Sequence, residues 1–120
     1  KKRLISHTQG QAATGLEEAL IPHRGKPIYI TIDLDWFDPS VMPGTGTPEP
    51  GGFLWKDFAA VIDVLKKHNL VAADLVELSP QLDPSGISSI LAAKVTRSLL
   101  MLLSKSASRF KDDEGPFNYQ

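Results

Sequence analysis

The chain has no cysteine among its 120 residues, which excludes disulfides and thiolate metal sites and suits a reducing cytoplasm. It has no surplus of one charge either: 13 lysines and arginines stand against 14 aspartates and glutamates, a net charge of −1. No nucleic-acid partner is expected, because there is no basic excess to neutralise phosphates. A long unbroken apolar run is also lacking. Ile87 to Leu103 comes nearest, but Lys94 and Arg97 interrupt it, so no membrane partner is expected. The opening KKRLISHTQG is basic, without the apolar centre of a signal peptide and without an initiator methionine. Either something was removed, or the chain is a piece of a longer one. What remains, 42% hydrophobic and 22% charged residues, is ordinary for a single globular domain.

The elements read clearly from the middle of the chain onward. Residues 12–20, AATGLEEAL, suggest a short helix. Pro27 to Asp33, PIYITID, predicts a strand covered on both faces. Residues 38–52 hold four prolines and four glycines, which excludes a helix or a central strand there. Leu54, Phe58, Val61, Ile62 and Leu65 recur at helical spacing, with Lys66, Lys67 and His68 suited to the helix end and Asn69 to its cap. Residues 70–78, LVAADLVEL, predict a second apolar strand. Asp83 and Pro84 then open a last helix, with Ile87, Ile90, Leu91, Val95, Leu99, Leu102 and Leu103 as its buried stripe and a polar tail over 105–120. Alternation of this kind implies a βαβα unit with a parallel sheet.

In such sheets ligands bind beyond the carboxyl ends of the strands. Asp33, Asp35 and Glu77 all fall there. Side chains two apart in an extended segment point the same way, so Asp33 and Asp35 can share a cation, and their oxygens suit hard ions such as magnesium and manganese. A bare D-x-D equally closes a strand and starts a turn, and that alternative stays open on these residues alone. An EF-hand beginning at Asp33 fails, with Asp38 where glycine is needed and Gly44 where glutamate is needed. A P-loop fails too, since GTPEPGGF has no lysine after its glycines. Haloacid-dehalogenase phosphatases share a strand running into D-x-D, but Phe37 replaces their threonine or valine and PGTGTPEPGG has no place in their motif.

TIDLDWFDPSVMPGTGTPEPGG resembles the signature of the ureohydrolases, the arginases and agmatinases, and DLVELSPQLDPSGISSILAAKV resembles their second block, D-x-x-E-x-x-P with the helix after it. The two blocks lie in the family's order and, with the helix between them, span about residues 28–104. PGTGTPEPGG is closer to agmatinases, whereas Trp36, Phe53 and Trp55 are bulkier than the pattern. The resemblance implies a three-layer αβα domain, incomplete in this chain, and hydrolysis of a guanidino substrate to urea and an amine with two Mn2+. Agmatine, giving putrescine, is favoured; arginine and guanidinobutyrate are the alternatives. By the same resemblance Asp33 bridges the two ions, Asp35 binds one, Glu77 holds the guanidinium, and Thr47 supports Glu77. A guanidinium is planar and permanently charged, so a carboxylate is its natural bidentate partner. A homo-oligomer, trimer or hexamer, is implied as well.

The family's upstream G-G-D-H and D-A-H-x-D motifs do not occur in the chain, nor does its histidine acid. The chain is thus expected to be the carboxyl-terminal part of one ureohydrolase domain, inactive alone; a non-catalytic binding module is the other reading. Asp38 is expected to cap a turn, Asp74 to find a structural partner, and His7, His23 and His68 to stay outside the chemistry.

Overall fold

The computed structural model describes residues 11–111. The elements are α1 (Ala12–Leu20), β1 (Pro27–Asp33), α2 (Trp55–Leu65), β2 (Asn69–Val76) and α3 (Ile87–Lys111), with short 3-10 turns at Ile21–His23, Leu34–Trp36 and Pro80–Leu82. β1 and β2 pair in parallel, from Pro27 opposite Asn69 to Asp33 opposite Val76, with one irregularity after Ile28. Glu77 therefore leaves the sheet beside Asp33. The strand expected over 70–78 begins and ends earlier, and Glu77 is the first residue past it.

β1 is covered on one face rather than two. Ile28, Ile30 and Ile32 pack into the helices, while Tyr29, Thr31 and Asp33 are exposed. The strand alternates after all; tyrosine and threonine, good strand formers, disguised a period of two. On the outer face the Tyr29 hydroxyl donates to Asp74 Oδ2, the partner expected for that aspartate, while Asp74 Oδ1 is buried without one among the described residues. The helices on the covered face and the parallel pair make an incomplete αβα arrangement.

One core cluster joins Leu34, Phe37, Met42, Phe58, Ala92, Val95 and Leu99; a second joins Val61, Leu65, Leu70 and Leu102, with Leu16 and Leu20 of α1 against it. α2 starts where the Asp57 carboxylate reaches back to accept the Leu54 N–H at 2.9 Å. Its end differs from expectation: Lys66 is the cap, and Asn69 already belongs to β2. Lys67 pairs instead with Glu17 of α1 at 2.7 Å.

α3 corrects three expectations. It runs to Lys111, so residues 105–111 are helix rather than tail. Ile87–Arg109 is thereby long and apolar enough, by length and composition, to cross a bilayer, although Val95, Leu99 and Leu102 are buried in the core. Ile87 and Ile90 are exposed, and the buried line runs through Ser88, Ala92, Val95, Leu99, Leu102 and Ser106. Ile87 and Ile90 do not take buried positions, whereas Ser88, Ala92 and Ser106 do. They are buried because they allow α3 to lie close to the chain beneath it. Pro84 sits in the turn ahead of the helix rather than in its first turn.

Candidate functional site

The carboxyl edge of the sheet is built from three pieces of chain. The first is the end of β1. Asp33 Oδ1 accepts the Asp35 N–H at 3.1 Å, so Asp33 caps the 3-10 turn that contains Asp35. The pair is therefore not held side by side by extended backbone; a tight turn brings the carboxyls together instead. Desolvation at the strand end comes first, and the facing carboxylates of Asp35 and Glu77 follow, in raising the Asp33 pKa above its ordinary 3.8; the Asp35 N–H opposes them.

The second piece is the loop 38–52, closed at its base by Asp38. Its Oδ1 accepts from Ser40 N and its Oδ2 from Gly51 N, both at 2.9 Å; the Ser40 hydroxyl first, and then these N–H groups, pull its pKa down. Asp38 is thus a turn cap, as expected. Backbone bonds from Asp38 N to Phe53 O and from Phe53 N to Trp36 O, each 2.9 Å, bring the loop's return against its start. Only glycine fits at 52, where a Cβ would lie 2.5 Å from Asp38 N. Trp36 stacks on Phe53 at 4.2 Å, which gives two of the bulky residues a packing role.

Thr47, on this loop, donates its hydroxyl to Asp35 Oδ2 at 2.8 Å. The resemblance attached Thr47 to Glu77; the structure attaches it to Asp35. Spacing along the sequence carries no information about which of two nearby carboxylates a threonine reaches.

The third piece follows β2. Glu77 has φ +69°, the one positive φ of a non-glycine residue among those described. Such a conformation costs on the order of 1 kcal/mol or more and is concentrated at functional sites. The chain then turns, and Ser79 N donates to Gly44 O at 2.8 Å, fastening this segment to the loop.

Asp33 and Asp35 fit a hard divalent ion in part. Each keeps a carboxylate oxygen outside the bonds given above, and their mutual repulsion is what a cation relieves. Among the described residues, no group of three or more His, Asp or Glu is gathered to complete a coordination shell. His68 lies at the opposite edge, buried, with Nδ1 unpartnered among the described residues and its pKa lowered first by burial and then by Arg24 and Lys67. His23 is exposed in the turn after α1, and His7 lies outside the described residues.

Comparison with known proteins gives one consistent answer. The model of the arginase family matches residues 5–102. An agmatinase of Halalkalibacterium halodurans is 41% identical over 93 residues, 76% of this chain and 32% of the relative. A guanidinopropionase of Pseudomonas aeruginosa is 36% identical over 109 residues, 88% of this chain and 34% of the relative. The solved proclavaminate amidinohydrolase of Streptomyces clavuligerus superposes with a TM-score of 0.72 at 33% identity, over 80% of this chain and 32% of that one. The chain spans about a third of the length of these relatives.

Proposed function

The chain belongs to the arginase family, and from that premise we propose that it supplies the carboxyl-terminal part of a guanidino hydrolase, with agmatine as the favoured substrate. The observation that carries the reading is the convergence of the Asp33–Asp35 pair and the strained Glu77 at one sheet edge. Asp33 and Asp35 would hold manganese, with the remaining ligands in chain outside this one. Bound there, the metal supplies a water made acidic enough to attack at neutral pH.

Glu77 is not assigned to the metal. Its carboxylate presents two oxygens to the two N–H edges of a guanidinium, fixing the carbon's orientation through charge-assisted bonds. The turn at φ +69° takes Glu77 out of the strand conformation, near enough to Asp33 to add to the rise in its pKa. Thr47 orders Asp35 by donating a hydrogen bond to one oxygen, leaving the other to the cation. The names of the relatives, agmatinase and guanidinopropionase, agree on the guanidino group and differ in the rest of the substrate. A cytoplasmic homo-oligomer accords with this reading. A haloacid-dehalogenase phosphatase would instead form a phosphoenzyme at Asp33, and family membership leaves it without support.

The test is made in the complete protein, with agmatine, arginine and guanidinobutyrate as substrates. Asp35→Asn is expected to lower manganese content and cut urea release by orders of magnitude, since an amide lacks the charge a cation requires. Glu77→Gln is expected to keep the metal and lose affinity for every guanidino substrate. An Asp35→Asn protein that retained its metal and full activity, or a Glu77→Gln protein that lost the metal alone, would overturn these roles.

A further inference from the structure

The loop that carries Thr47 and the segment that carries Glu77 meet at one buried point, Gly44. Its N–H donates to Ser88 Oγ at 2.7 Å, and its carbonyl accepts the Ser79 N–H at 2.8 Å. Ser88 is wholly buried in the first turn of α3. Its own N–H donates to Asp83 Oδ2 at 2.7 Å, while Asp83 Oδ1 accepts from Ser85 N at 3.0 Å and Ser85 Oγ at 2.5 Å. There is no slack at this crossing. A Cβ on Gly44 would stand 2.7 Å from the Ser88 Cβ and 3.0 Å from the Asp83 Cβ.

The bonds form one line: Asp83 orients Ser88, Ser88 holds Gly44, and Gly44 holds Ser79. Three residues beyond Gly44, Thr47 bonds Asp35; two residues before Ser79 stands Glu77. Asp38 closes the loop at its base and Ser88 pins it in the middle, so the stretch between has little freedom. We propose that Ser88, oriented by Asp83, is a positioning residue that sets Thr47 and Glu77 relative to the aspartate pair. It touches neither metal nor substrate and acts through Gly44. The proposal rests on the functional reading above only for its consequences at the metal; the clamp itself is a property of the chain.

Ser88→Ala removes the acceptor of Gly44 N while keeping α3 intact. Leu102→Ala serves as control: it truncates a buried side chain of the same helix that packs with Val61, Leu65 and Leu70 in the second core cluster, apart from the loop. Hydrogen exchange of the peptide spanning 43–52 is measured on the complete, metal-free protein, and manganese affinity is measured separately. Ser88→Ala is expected to speed exchange at Gly44 through Thr47 by about tenfold, the loss of one buried hydrogen bond. It is expected to weaken manganese binding by about tenfold, as supporting partners of metal ligands do. Leu102→Ala, with an equal or larger loss of thermal stability, should do neither. Asp83→Asn, which keeps the shape and one acceptor oxygen, is expected to move both readings in the same direction by less. Unchanged exchange in Ser88→Ala would overturn the clamp whatever the enzyme does. Faster exchange with manganese affinity no weaker than in Leu102→Ala would overturn the positioning role. A wild-type protein without urea release would instead sink the functional reading and leave the exchange result standing.

Discussion

Glu77 allows stability and function to be set against each other at one residue. Its φ of +69° places a Cβ against the following carbonyl oxygen, at a cost of roughly 1–2 kcal/mol for a residue other than glycine. Glycine removes that cost, but its freer unfolded chain gives back about 0.5–1 kcal/mol. Glu77→Gly is therefore expected to stabilise the complete protein by roughly 0.5–1 kcal/mol, a rise of a few degrees in melting temperature. Among the described residues the side chain is exposed and no side-chain hydrogen bond holds it, so no packing loss within them opposes the gain. Glu77→Gln keeps the Cβ and should leave stability unchanged within about 0.5 kcal/mol. Both variants should lose affinity for guanidino substrates. The assay is urea denaturation and thermal melting of the metal-free protein at one fixed concentration, beside substrate binding. A Glu77→Gly protein less stable than Glu77→Gln would show that the left-handed turn carries no strain, and the inference from backbone to function would fail with it.

Two further outcomes follow from the loops. Gly52→Ala puts a methyl 2.5 Å from Asp38 N and 2.6 Å from the Phe37 carbonyl carbon, both backbone atoms that cannot step aside. A loss of about 1–3 kcal/mol is expected in denaturant unfolding, and a loss below about 0.5 kcal/mol would mean that the loop's return is looser than described. Asp83 has its pKa drawn down from 3.8 to about 2, first by the Ser85 hydroxyl and then by Ser88. A carboxylate depressed by folding stabilises above its unfolded value and loses that contribution as pH falls through the folded one. Stability should therefore decline between about pH 4 and pH 2, and Asp83→Asn should flatten that limb in acid-unfolding curves; an unchanged limb would assign it to other carboxylates.

The residues by themselves determined α1 and β1, the parallel strand pair and the carboxyl edge as the place for chemistry. Those follow from periodicity and composition, which act locally: the β-branched and aromatic residues of PIYITID favour an extended chain, and four prolines with four glycines break any helix. The ureohydrolase reading also came from sequence, because TIDLDWFDP and DLVELSP are long enough to specify it. Local pattern failed where a third element decides. Ile87 and Ile90 are as apolar as Leu99, yet α3 leaves them exposed and turns Ser88 inward, where it lies tight against Gly44 and a larger side chain would not fit. Thr47 had two carboxylates within plausible reach, and the path of a clamped loop chose Asp35. Glu77 was legible as an acid at a strand end, but its left-handed φ was not, since nothing in glutamate favours that conformation and the turn toward Ser79 and Gly44 imposes it. Sequence determined which groups are available at the sheet edge; tertiary contacts, through Gly44 above all, decided how they face one another.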